Sequence, residues 1–149
     1  MPRGTVPLIA LTHELGQNGA MRHSFETRVY YEDTDLAGIV YYANYLKYIE
    51  RARSEFVRTL GIDQNRLREE EGIVFAVARV EADYKVPAKF DDVVTVVTQP
   101  LKVTPARLVL SQDVCRGDEV LFASVITLAA LSPTGRPARI PAAIRAALA

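Results

Sequence analysis

The chain has one cysteine, no tryptophan, two histidines and no net charge. The lone Cys115 cannot form an intramolecular disulfide or a cysteine-based zinc site, and both absences suit a reducing cytoplasm. By residue type Cys115 reads as a small, partly buried hydrophobe on a strand rather than as a reactive thiol. Eighteen basic residues balance eighteen acidic ones, so no overall field draws the chain to nucleic acid or anionic lipid. No apolar run approaches the roughly 20 residues needed to span a bilayer, and membrane insertion is not expected. The familiar hydrolytic and nucleotide devices are also missing. There is no G-x-S-x-G elbow, no G-x-x-x-x-G-K-[ST] or G-x-G-x-x-G loop, and no pair of histidines at metal-binding spacing. His13 and His23 both precede the first convincing element, and neither sits where it could serve a serine or Cys115. Catalysis, if present, must rest on carboxylates, tyrosines and backbone amides.

With 149 residues, 49% of them hydrophobic, the chain can bury the core of one domain. Residues 1–21 have no signal-peptide pattern and are expected to be a disordered tail. Met21 opens the first structured run and is a candidate natural start. From there, residues 22–149 read as a single domain. Phe25, Thr27, Val29 and Tyr31 alternate with polar neighbours, the period of a half-buried strand. Tyr45, Ile49, Ala52, Phe56 and Leu60 recur every three or four residues, which predicts a helix of roughly five turns ending at Gly61. Asp63 caps a short polar helix that stops at Gly72. The remainder is strand-like. Val80, Ala82, Tyr84 and Val86 suggest one dry face, Pro100 a bulge or edge, and Arg116-Gly117-Asp118 a hairpin turn. Pro141 opens a short terminal helix. One long helix and four or five antiparallel strands make an α+β layer, with the sheet wrapped around the helix. Such a sheet leaves an edge uncovered, and self-association is the expected remedy.

The segment between the first strand and the long helix carries the chemistry. Its loop, YEDTDLAG, holds three acids, and Asp35 is nearest to the helix start. A helix start can stabilise an oxyanion through bare backbone N–H groups. A carboxylate beside it is the minimum equipment for splitting an ester or thioester. The competing role for Asp35 is a plain loop aspartate making Asx-type bonds. The tyrosines from Tyr30 to Tyr48 read individually as packing groups. Glu50, three residues before Arg53, reads as half of a surface ion pair.

The string YYEDTDLAGIVYYANYLKYIERAR, Tyr30 to Arg53, resembles the signature of the 4-hydroxybenzoyl-CoA-thioesterase-like hotdog family, in its Tol–Pal-associated acyl-CoA thioesterase branch. A weaker similarity runs through ADYKVPAKFDD and the later strands. The resemblance implies a hotdog fold whose protomers form homodimers or dimers of dimers. It implies a cytoplasmic hydrolase acting on an acyl-CoA substrate, short-chain by preference and aromatic as second choice. No cofactor is implied, since coenzyme A enters as part of the substrate. Acyl carrier protein or an envelope complex is a further partner it suggests. The family's catalytic aspartate falls on Asp35 and its oxyanion amide on Tyr42, where some members carry histidine. Another subgroup places its acid on the helix, which would be Glu50. Asp35 is left as nucleophile or as general base. Two other functions stand beside this one: a non-catalytic acyl-thioester or envelope-complex binding module, and a dehydratase, whose chemistry calls for a core histidine acid/base and which is disfavoured because the chain has no histidine after His23.

Overall fold

The computed structural model describes residues 21–149 and the strand Thr12–Leu15. Seven antiparallel strands form one sheet: β1 (Thr12–Leu15), β2 (Met21–Arg28), β3 (Val74–Tyr84), β4 (Val93–Val103), β5 (Arg107–Arg116), β6 (Glu119–Leu131) and β7 (Pro137–Ala138). Their spatial order is β1-β2-β4-β5-β6-β3, and β7 takes over beside β6 where β5 ends. The helices are α1 (Asn44–Thr59), α2 (Gln64–Glu71) and α3 (Ala142–Leu148). This is the expected hotdog layer. Thr12–Leu15 lies inside the stretch expected to be a tail, yet pairs with β2; the rest of that stretch falls outside the described residues.

The long helix forms because its apolar residues return every three or four positions, and that stripe is what the sheet covers. Tyr45, Tyr48, Ile49, Ala52 and Phe56 are buried against β2, β4 and β5. Each fully buried large side chain among them is worth about 2 kcal/mol. Opposite them lie Val94, Val96, Leu110, Val114, Phe122 and Ile126, all fully buried. Leu60 ends the helix, and Gly61 follows at φ 80°, a left-handed conformation that most side chains resist. The polar helix starts as its sequence suggests: the Asp63 side chain accepts from the Arg66 N–H. Pro100 sits at a register slip between β4 and β5, so the bulge reading holds.

β3 departs from expectation. It was assigned one dry face, but in the single protomer Val80 and Tyr84 are 42% and 51% exposed, and Val74 and Val77 are exposed beside them. The reason is topological. β3 is last in the sheet order, and α1 is centred on β2, β4 and β5; among the described residues α2 touches β3, and most of the strand's length is left open. Among the described residues no helix is long and apolar enough to cross a membrane.

Candidate active site

A single 3-10 turn, Tyr31–Asp33, leads out of β2, and the chain then folds back on itself as a tight hairpin between Thr34 and Val40. Asp35 stands at its corner. The Asp35 N–H donates to the Ile39 carbonyl at 2.9 Å, and the Gly38 N–H returns to the Asp35 carbonyl at 3.0 Å. Gly38 permits the reversal because it sits at φ 78°. Two more backbone bonds dock this hairpin on the loop after β3: Val40 N–H to Ala88 carbonyl at 2.9 Å, and Phe90 N–H to Gly38 carbonyl at 3.1 Å. A third group ties it to α1. The Asp33 carbonyl accepts from the Tyr41 N–H and from Asn44 Nδ2, both at 2.9 Å. The place of Asp35 relative to α1 is therefore set by backbone bonds and one asparagine.

The helix start itself is bare. No side chain caps α1, since Asn44 turns back to Asp33, and no acidic residue occupies the first turn. The Asn44 N–H is used by Tyr41 and the Leu46 N–H by Ala43. Among the described residues the Tyr42 and Ala43 N–H groups donate to nothing. Free donors at a helix start are an anion site in waiting. Beside Tyr42 the residues Ile39, Val40, Tyr45, Tyr84, Val86 and Pro87 line a largely apolar depression with Lys85 at its rim.

Asp35 is exposed in the protomer. Its Oδ1 accepts from the Ala37 N–H at 2.9 Å, the Asx-type bond expected of a plain loop aspartate, and Oδ2 has no hydrogen-bond partner among the described residues. It lines a neighbouring, open depression with Tyr31, Glu32, Thr34, Leu36, Gly38 and Phe90, not the one that holds Tyr42. The sequence placed both residues at one helix start; the protomer puts them on adjoining surfaces joined by residues 38–40.

Glu50 makes no ion pair with Arg53 among the described residues. Arg53 Nη1 instead donates to Gln112 Oε1 at 2.9 Å, and burial lowers the arginine pKa while the nearby Glu50 charge works against that shift. Helical spacing cannot show this partner, because Gln112 is 59 residues away in sequence. Glu50 and Arg53 do line a common groove with Val57, Phe75, Leu108 and Leu128, a cavity of about 160 Å³ along the flank of α1. His23 lies within β2 rather than ahead of the first element, and is fully buried with its ring 5.7 Å from Phe56. Cys115 lies partly buried on β5, and burial followed by the Asp113 charge raises its pKa, which favours the inert thiol.

Two tyrosine hydroxyls carry bonds that sequence alone did not reveal. Tyr45 accepts from the Ala88 N–H at 3.0 Å and so braces the loop on which the Asp35 hairpin rests. Tyr84, at the end of β3, donates to the Tyr42 carbonyl at 3.0 Å. The run of tyrosines was the available signal, but only packing shows which hydroxyl is used.

Comparison with known proteins bears on the fold and the family. Residues 37–123 match the family model described as "Thioesterase superfamily". The chain is 39% identical over 125 residues to an acyl-CoA thioesterase, YbgC, of Haemophilus influenzae, covering 83% of this chain and 92% of that one. It superposes with a TM-score of 0.77 on a probable thioesterase from Bartonella henselae, 35% identical, over 80% of this chain and 99% of the other. A mutant of 4-hydroxybenzoyl CoA thioesterase complexed with 4-hydroxybenzoyl CoA shares the fold, with a TM-score of 0.81 at 22% identity over 86% of this chain and 99% of that one.

Proposed function

The chain belongs to the thioesterase superfamily, and we propose that it hydrolyses an acyl-CoA thioester to a free acid and coenzyme A. One observation supports the reading: the Tyr42 N–H has no acceptor among the described residues, and the hairpin that bears Asp35 is tied to that helix start through the Asp33 carbonyl, which accepts from the Tyr41 N–H and Asn44 Nδ2. In this scheme the thioester carbonyl oxygen lies against the Tyr42 amide, where the helix dipole favours the developing negative charge. Asp35 either attacks the carbonyl carbon, expelling the CoA thiolate and leaving a mixed anhydride for water to cleave, or takes a proton from the attacking water. Both routes consume one water and release one acid and one thiol.

A short acyl chain is the preferred substrate in this reading, an aromatic one the second choice. The depression beside Tyr42 is apolar and local. The apolar groove begins at Glu50, eight residues further along α1, or about 12 Å at 1.5 Å per residue. A four-carbon chain extends only about 4 Å and stays beside the tyrosines. The reaction uses no cofactor beyond the CoA of its substrate. A second copy joined along β3 would cover Val77, Val80 and Tyr84.

Thiol release from a panel of acyl-CoAs tests the proposal, with Asp35→Asn alongside. Asparagine still offers an oxygen to the Ala37 N–H, so the fold should stand while turnover falls by at least about 100-fold. A folded Asp35→Asn protein with undiminished turnover would falsify the assignment.

A further inference from the structure

We propose that Tyr84 is a positioning residue of this site, whose hydroxyl holds the Tyr42–Ala43 peptide in the orientation that presents the free amides of the α1 start. The inference rests on the acyl-CoA hydrolase reading of the same site. In an unbroken helix the Tyr42 carbonyl would accept from the N–H four residues on, at Leu46. Here the Leu46 N–H goes to Ala43 instead, at 3.2 Å, and Tyr84 Oη supplies the missing donor from 3.0 Å. The peptide plane on the other side of Tyr42 is held independently, because the Tyr41 carbonyl accepts from the Asn44 N–H at 2.8 Å. Each plane flanking the Tyr42 Cα thus has one bond to fix it, and Tyr84 provides one of the two.

The consequence for the donors is direct. The Ala43 N–H belongs to the peptide whose carbonyl Tyr84 holds, and the Tyr42 N–H belongs to the neighbouring one. Release of the Tyr42 carbonyl lets the Tyr42 ψ angle drift, which turns the Ala43 N–H out of line with the independently held Tyr42 N–H, and a pair of oxyanion donors loses much of its value when their common aim is lost. A donor on the carbonyl also polarises the peptide and strengthens its N–H. The tyrosine ring is itself immobilised, 5.0 Å from Phe122, 5.5 Å from Tyr45 and 6.2 Å from Tyr42, centroid to centroid. Burial, then the neighbouring Tyr42 and Tyr45, raise its pKa, so the hydroxyl keeps its proton at neutral and mildly alkaline pH. Tyr84 is also the last residue of the exposed edge strand, which links the sheet edge mechanically to the helix start.

Tyr84→Phe in the full-length chain retains every ring contact and removes only the bond. Two readouts are taken: kcat and KM for an acyl-CoA that the unmodified protein turns over, and the 13C resonance of the Tyr42 carbonyl. The expected result is a kcat about ten-fold lower, with KM changed by no more than about two-fold and the carbonyl resonance displaced. Unchanged kcat, or a loss confined to KM, overturns the inference. If the unmodified protein turns over no acyl-CoA, the hydrolase reading fails on its own account. The carbonyl resonance then decides: unmoved by Tyr84→Phe, it overturns the positioning bond; displaced, it upholds it.

Discussion

Replacing Gln112 with methionine removes a side chain that bonds the middle of α1 to the sheet. Gln112 is fully buried on β5. Its Nε2 donates to the Ile49 carbonyl at 2.9 Å and to Thr98 Oγ1 at 3.0 Å, and its Oε1 accepts from Arg53 at 2.9 Å. Neutral hydrogen bonds of this kind contribute about 1 kcal/mol each, and one to a charged donor about 2. The arginine is only half-buried and can turn towards water, so its share is discounted. The Ile49 carbonyl lies mid-helix and keeps its backbone partner. A loss of about 3 kcal/mol follows, which for a chain of this size lowers Tm by about 10 °C. Urea unfolding at fixed protein concentration measures it. Arg53→Met and the double variant complete a thermodynamic cycle. Once Gln112 is gone the arginine has no acceptor to lose, so the double variant should cost at least about 1 kcal/mol less than the two singles together. A Gln112→Met protein within 1 kcal/mol of the parent, or strict additivity, would show that packing alone seats the helix.

Two further outcomes follow from buried and exposed groups of the same region. The Tyr48 hydroxyl is buried without a hydrogen bond of good geometry, and burial, then the adjacent Asp33 charge, raises its pKa above the ordinary 10.0. The folded chain therefore holds that proton more tightly than the unfolded chain, so this contribution to stability is complete below about pH 10 and lost as pH rises beyond it. Tyr48→Phe should lie within about 1 kcal/mol of the parent at neutral pH and show a shallower alkaline decline, read by urea midpoints between pH 8 and 11; an identical decline would remove Tyr48 as its source. On the edge strand, Val80→Lys places a charge where a second copy is expected to pair. Sedimentation should report a smaller species than the parent, and an unchanged mass would place the contact elsewhere.

Local chemistry was readable wherever a single residue decides the backbone. Gly61, Gly72 and Gly117 all take left-handed conformations at the ends their positions suggested, Asp63 caps its helix, and Pro100 marks the slip in β4. The stripe from Tyr45 to Phe56 predicted its own burial, because helical period alone selects that face. What failed to show depends on partners distant in sequence. Alternation in β3 could not tell a covered face from a sheet edge, since edge status comes from the order in which strands assemble. Arg53 looked like a partner for Glu50 three residues away, while its acceptor, Gln112, sits on another strand. Tyr84 looked like a packing residue, and only the missing Leu46 bond gives its hydroxyl a task.

The exposure of Asp35 bears on the assembly as much as on the chemistry. A carboxylate and a bare amide act most strongly where water is excluded, since the same dipoles are worth far less in a high dielectric. In the single protomer Asp35, Tyr31, Leu36 and Phe90 all face solvent, as do Val77, Val80 and Tyr84 on the open edge. The hairpin that carries Asp35 is already fixed by its backbone bonds, so covering it requires no rearrangement. A second copy whose contact along β3 extends over this hairpin would dry a preformed site rather than build one. On this reasoning Val80→Lys should lose turnover in step with association, and specific activity of the parent should fall on dilution below its dissociation constant. A dissociated Val80→Lys protomer with full kcat would show that the bare helix start needs no cover.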